Sequence, residues 1–171
     1  MLRGKSVTLR RIEKVDLWQL WQLHEERELT LFKELKQLIS WDELNQDFMK
    51  YFGWKGHFLV EDKGGKTLGV CSYKDINWKN RSCELAVQFY KTEQMPAIDS
   101  ILTLLEFLFK ELNMSRVYSF VPVFFSFENQ AFKKTGFIKE GNLREAVFLE
   151  GKYHDILAYA LLREDFSPEE Q

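Results

Sequence analysis

The sequence predicts an α/β (α+β) fold, a mixed and mostly antiparallel sheet flanked by helices. Three observations carry this. Short stretches alternate apolar and polar residues with the period of a half-buried strand, as in Ser6 to Ile12 (SVTLRRI). Longer stretches place apolar residues at helical spacing and lie between those strands, not apart from them. The segment from Ser82 through Val121 reads as strand, helix, strand, which implies one parallel crossover. With 171 residues and no repeat or low-complexity tract, the chain suits one domain over 1–166 and a short tail at 167–171.

Each element has a local reason. The strand at Ser6 to Ile12 hands over to a helix across Glu13 to Glu26, where Val15, Leu17, Trp18, Leu20, Trp21 and Leu23 fall at helical spacing. A second helix begins near Ser40, whose spacing to Glu43 fits a capping box, and runs to about Phe52. HFLVED and TLGVCSYKDI are strands separated by a Gly64-Gly65 turn. Asn77 to Asn80 forms another turn, and SCELAVQFY is the next strand. Ala97 to Leu112 is the long helix. VYSFVPVFF is a buried strand interrupted by Pro122. Glu128 to Thr135 is a short helix closed by Gly136. Two further strands, about Leu143–Leu149 and Tyr153–Leu162, join through Glu150-Gly151.

Composition narrows the function classes. Apolar residues make up 45%, charged residues 29%, and the net charge is −2, which is not the basic balance of a general nucleic-acid binder. Apolar runs such as VPVFF are too short to span a bilayer, and MLRGKSVTLRRI lacks the apolar core of a signal peptide. A cytoplasmic protein with no membrane or nucleic-acid partner is expected. The two cysteines, Cys71 and Cys83, read as buried strand thiols, not as a disulfide framework. His24, His57 and His154 are scattered without metal-ligand spacing, so no metal site is expected.

Three passages resemble the GNAT superfamily of acyl-CoA N-acyltransferases, and most of all its ribosomal-protein N-terminal acetyltransferase branch. They are LRGKSVTLRRIEKVDL, then LNMSRVYSFV after the long helix, then KKTGFIKEGNLREAVFLEGKYHDILAYALLRED. The resemblance implies the GNAT fold, acetyl-CoA as co-substrate, and an amine on a small molecule or a protein N-terminus as acceptor. It implies direct transfer: a neutral amine attacks the thioester, a carboxylate or its bound water takes the proton, and a strand N–H polarises the carbonyl. It implies that Val87, Gln88 and Phe89 hold the thioester and pantetheine, and that Ala97, Ile98, Asp99 and Ser100 face the pyrophosphate. It also sets Phe132 where relatives often carry a tyrosine that protonates the departing thiolate. A homodimer is compatible with this reading.

The chain departs from the family at the loop before the long helix. The usual pattern there is Q/R-x-x-G-x-G/A, whose glycines let the backbone approach a phosphate. Of the matching residues Thr92 to Ala97, only Ala97 fits; Met95 replaces a glycine and Pro96 lacks a donor. Pro96, Asp99 and Glu93 read equally well as a helix start compensated by its own carboxylates. Phe125 stands where relatives carry an asparagine, with Asn129 nearby but out of register. Two outcomes stay open: an acetyltransferase with weakened acetyl-CoA binding, or a non-catalytic GNAT-like module that binds a small molecule or protein partner.

Glu84, in CELAVQF, matches a glutamate often found on this strand in the branch that the chain resembles, and the resemblance makes it the candidate general base; a carboxylate on an otherwise apolar strand needs a solvated cleft or a partner. The alternative is a strand-edge carboxylate paired with Arg81 or a lysine. Asp75 and Asn77 are expected to shape the turn towards Asn80. Phe32, Trp41, Phe48, Tyr51, Phe52 and Trp54 either fill the core or wall an acceptor site.

Overall fold

The computed structural model describes residues 1–20, 41–46, 56–90 and 94–167. Strands β1 (Leu2–Arg3), β2 (Val7–Arg11), β3 (Gly56–Asp62), β4 (Thr67–Asn77), β5 (Ser82–Phe89), β6 (Arg116–Pro122), β7 (Ile138–Leu149) and β8 (Lys152–Leu162) form one sheet. Its order is β1-β2-β3-β4-β5-β6-β8-β7. Among the described residues β5 and β6 are the parallel pair and the other neighbours run antiparallel. The helices are α1 (Trp41–Gln46), α2 (Gln94–Glu106) and α3 (Ser126–Lys134). The expected mixed sheet with one parallel crossover is therefore the observed one.

The core lies between α2 and one face of the sheet. Ala97, Ile101, Leu104, Leu105 and Leu108 are fully buried at the spacing of one helical stripe. Val7, Leu9, Phe58, Val60, Cys71, Cys83, Leu85 and Phe89 meet them at every second strand position. Each such aliphatic side chain contributes about 1.5–3 kcal/mol on burial. A single π turn at Phe107–Glu111, closed by Leu112 N–H to Phe107 O at 3.1 Å, lets the neighbours Leu108 and Phe109 both face inward. Both thiols are free and buried, and desolvation pushes the Cys83 thiol up to about 12. Gly136, at φ +86°, closes α3 in a conformation that only glycine adopts without strain.

Several expected boundaries move. α2 begins at Gln94, three residues before Ala97, so Pro96 is its third residue. A proline is tolerated there because the first helical N–H groups have no intrahelical partner. Asp99 becomes the sixth residue and no longer neighbours the helix end. Val15 lies in a 3-10 turn, Lys14–Asp16, and is exposed; residues 17–20 are helical, with Leu17 and Leu20 buried. Asp16 caps that turn by accepting from Glu13 N–H at 2.7 Å. The exposed Trp18 meets Trp41 edge-on at 5.4 Å. Trp21, Leu23, Ser40 and the other aromatic residues from Phe32 to Trp54 lie outside the described residues, as do Thr92 and Glu93.

Asp99 ties the first hairpin to α2. Its carboxylate accepts from the N–H groups of Lys5, Ser6 and Val7 and from the Ser6 hydroxyl. Burial alone would raise its pKa, but the donors from Ser6, Lys5 and Val7 together bring it below the ordinary value. The ionised form is therefore preferred in the folded state. Its stabilisation is present above the ordinary carboxylate pKa and is lost as pH falls through the lowered one. Asp99→Ala should cost about 2–3 kcal/mol of unfolding free energy at neutral pH, because several donors lose their acceptor. Asp99→Asn should flatten the decline in melting temperature below about pH 4 relative to the parent. Parallel acid-melting curves for parent and variant would show the hairpin anchor to be elsewhere.

Candidate functional site

The site is a fork in the sheet. β5 and β6 pair only through Ser82↔Arg116, Cys83↔Val117 and Glu84↔Tyr118. Beyond Glu84, β5 stays with β4 as far as Phe89↔Gly69, while β6 stays with β8 as far as Pro122↔Ile156. The backbone of Tyr90 donates back to Leu68 O on the β4 side at 2.9 Å. By the alternation of a strand, the N–H groups of Leu85, Val87 and Phe89 point the other way, into the fork. Gly69 permits the close approach: a Cβ there would stand 2.4 Å from Gln88 O and 2.9 Å from Phe89 Cα.

Glu84 sits where the two strands part. It is 6% exposed, and its Oε1 lies 3.2 Å from Lys74 Nζ, its cross-strand partner on β4. The lysine named as an alternative partner is thus Lys74, and Arg81 instead turns through a positive φ. Lys74, Glu84 and Tyr118 form one row across three strands, on the face away from α2. Burial raises the Tyr118 phenol, and the negative charges of Glu84 and Asp75 raise it further. Phe120 follows Tyr118 on the same face, ring centroids 5.7 Å apart and nearly perpendicular. A carboxylate opposite one half-buried ring, with a second ring further along the same face, favours a cation. Gln88 is buried on this face, and the Tyr90 hydroxyl is buried with no hydrogen-bond partner among the described residues.

The opposite side of the fork differs. Phe89 packs edge-on against Phe127 of α3 at 5.8 Å, and its N–H donates to Glu128 Oε1 at 3.3 Å. Val87 is half-buried against the core. Ile98, Phe127, Gln130, Ala131 and Lys134 line a shallow groove between α2 and α3. Of the four residues expected to face a pyrophosphate, Ile98 lines this groove and the other three do not. Ala97 is in the core, Asp99 holds the first hairpin, and the buried Ser100 hydroxyl donates to Ala97 O at 2.8 Å. The earlier start of α2 also corrects the expected backbone donors. The N–H groups of Ile98, Asp99 and Ser100 fall inside the helix, and among the described residues the ones without an intrahelical acceptor shift to Gln94 and Met95. Met95 is 72% exposed and fills no cleft.

Phe132 is 1% exposed, stacked on Tyr159 at 5.9 Å and edge-on to Phe137 at 4.8 Å, inside the core. Asn129 is committed internally: Nδ2 donates to Pro122 O and Phe125 O, and Oδ1 accepts from the Tyr159 hydroxyl at 3.0 Å. Asn77 shapes its turn by accepting from Asn80 N–H, and Asp75 holds φ +51°. Asp155 accepts from Asn142 Nδ2 and Glu145 N–H, which fastens a bulge in β7.

The sequence reading did not single out Lys74, Tyr118, Phe120, Glu128, Gln130 or Lys134. Alternation within RVYSFVP would have separated Tyr118 and Phe120 from the core residues Val117 and Val121. The other four depend on register and helix placement.

Residues 9–158 match a family model described as an acetyltransferase (GNAT) domain. The chain is 26% identical over 167 residues to spermidine N(1)-acetyltransferase of Vibrio cholerae serotype O1, covering 95% of this chain and 96% of that protein. It is 26% identical over 175 residues to the SPbeta prophage-derived uncharacterized N-acetyltransferase YokL of Bacillus subtilis, covering 95% of this chain and 93% of that protein. The crystal structure of the Vibrio cholerae spermidine N-acetyltransferase in complex with CoA and spermine superposes with a TM-score of 0.82 at 26% identity, over 95% of this chain and 98% of that one.

Tyr159→Phe removes the donor to Asn129 and should lower stability by about 1–2 kcal/mol in a denaturant titration. An unchanged midpoint and slope would mean that Asn129 Oδ1 has a substitute donor.

Proposed function

The chain belongs to the GNAT acetyltransferase family and transfers an acetyl group from acetyl-CoA to an amine, and from that premise we propose that its acceptor is a polyamine of the spermidine class. The observation that carries this is the row at the fork, where Glu84 faces the same side as Tyr118 and Phe120. A polyamine is a flexible chain of ammonium groups, and a buried carboxylate beside aromatic faces attracts such a chain. The names of the relatives support the same acceptor.

In this reading the acyl donor enters from the α2–α3 side and the amine from the opposite face. The N–H groups of Val87 and Phe89 hold the pantetheine arm and thioester beside Gln88. The diphosphate lies towards the N–H groups of Gln94 and Met95 at the start of α2, with Ile98, Gln130 and Lys134 along the groove. The donor's extended arm fits the edge of β5. Its diphosphate meets fewer donors than a glycine loop would offer, since Pro96 has none. A neutral amine nitrogen attacks the thioester carbonyl, the new N–C bond forms, and the C–S bond breaks with its electron pair leaving on sulfur. Glu84 takes the amine proton, directly or through one water, while a β5 N–H stabilises the oxyanion. Lys74, 3.2 Å away, positions the Glu84 carboxylate.

We further propose a cytoplasmic homo-oligomer. Among the described residues no helix is long and apolar enough to cross a membrane. β7 is an outer strand of the sheet, and Ile138, Leu143, Phe148 and Tyr153 are exposed on its hairpin with β8. A dodecameric structure is known for the Vibrio cholerae relative.

CoA release should be fast with spermidine or spermine and near background with an N-terminal peptide of equal concentration; the reverse preference would replace the polyamine by a protein acceptor. Glu84→Gln should lower kcat by about a hundredfold or more while the Kd for CoA stays nearly constant. Equal turnover of variant and parent across the pH range would remove Glu84 from the chemistry.

A further inference from the structure

We infer that Glu128 is a built-in occupant of the strand edge along which acetyl-CoA binds, so that the donor must displace its carboxylate from Phe89. This rests on the acetyltransferase reading above. Glu128 is 7% exposed, and its Oε1 accepts from the Phe89 N–H that points into the fork. A glutamate at the third position of a helix has an ordinary local role, which is to reach back to the N–H of the capping residue. That role is filled here without it. The capping residue of α3 is Phe125, and its N–H already bonds to Pro122 O at 3.1 Å. The Glu128 side chain instead crosses from α3 to β5, beside the Phe89–Phe127 ring contact that holds the two elements together.

The consequences follow from the charge and the donor. An acyl-CoA arm laid along β5 needs the same Phe89 N–H, and a strand N–H makes one good bond at a time. The incoming molecule is also an anion, so a carboxylate at that edge opposes it electrostatically. Glu128 thereby sets the threshold for donor binding. It satisfies the strand edge when no donor is bound, and it must rotate away from Phe89 when one is.

Glu128→Ala and Glu128→Ser remove the occupant while keeping helix-compatible side chains, and a melting curve for each reports folding. In calorimetry with CoA in phosphate-free buffer, both variants should bind about tenfold more tightly than the parent, as expected when one charge-assisted competitor is lost. The KM for acetyl-CoA should fall in step. Equal or weaker CoA binding in the folded variants overturns the inference and leaves the acetyltransferase reading intact, provided that the parent binds CoA. A parent that binds CoA but acetylates no amine overturns the reading of the acceptor, while the affinity ratio still decides the role of Glu128. If neither parent nor variant binds CoA, both fall.

Discussion

Two neighbouring parallel strands that part after three residue pairs must each find other company for the rest of their length. That constraint organises this molecule. β5 keeps β4 as far as Phe89, with Gly69 allowing the two backbones to close on each other. β6 keeps β8 as far as Pro122. α2 connects the separated strands and roofs one face of the sheet, and α3 enters beside the open edge of β5, fastened through Asn129 to Pro122, Phe125 and Tyr159. Without the fork, Glu84 would be one more strand residue between paired neighbours.

The two faces meeting at the fork have different chemistry. One offers the Glu84 carboxylate and two aromatic rings, which suit a cationic chain. The other offers peptide N–H groups and a groove whose lining includes Lys134, which suit an extended, anionic partner. A reaction that joins an amine to an acyl group carried on an anion needs this separation, because each reactant reaches the other without crossing its path.

Much of this was legible in the sequence. Period-two alternation marked β2, the Gly64-Gly65 and Glu150-Gly151 turns marked the strands beside them, and Gly136 marked the end of α3, because these signals are local. Glu84 was legible as well, since a carboxylate in CELAVQF has no comfortable place on an ordinary buried strand. Its partner Lys74 was not, because the pair depends on the β4–β5 register. Asp99 was misread as a helix-end charge; its donors lie more than ninety residues away in sequence, at Lys5 to Val7. Val15 fits a helical stripe on paper, but Asp16 turns the chain into a 3-10 start that exposes it. Glu128 looked like an ordinary helix residue, and only the open edge of β5 gives its carboxylate another role.

The insertion of β8 between β6 and β7 has a consequence in time. A nascent chain emerging from the ribosome completes β6 at Pro122, yet the outer neighbour of that strand starts only at Lys152. Until then β6 presents an unpaired edge, with Val117, Val121 and their apolar surroundings exposed to other chains. β7 emerges in between and has no strand to join before β8 arrives. The fork is therefore among the last features to assemble, and the interval before β8 arrives is when chaperone contact matters most.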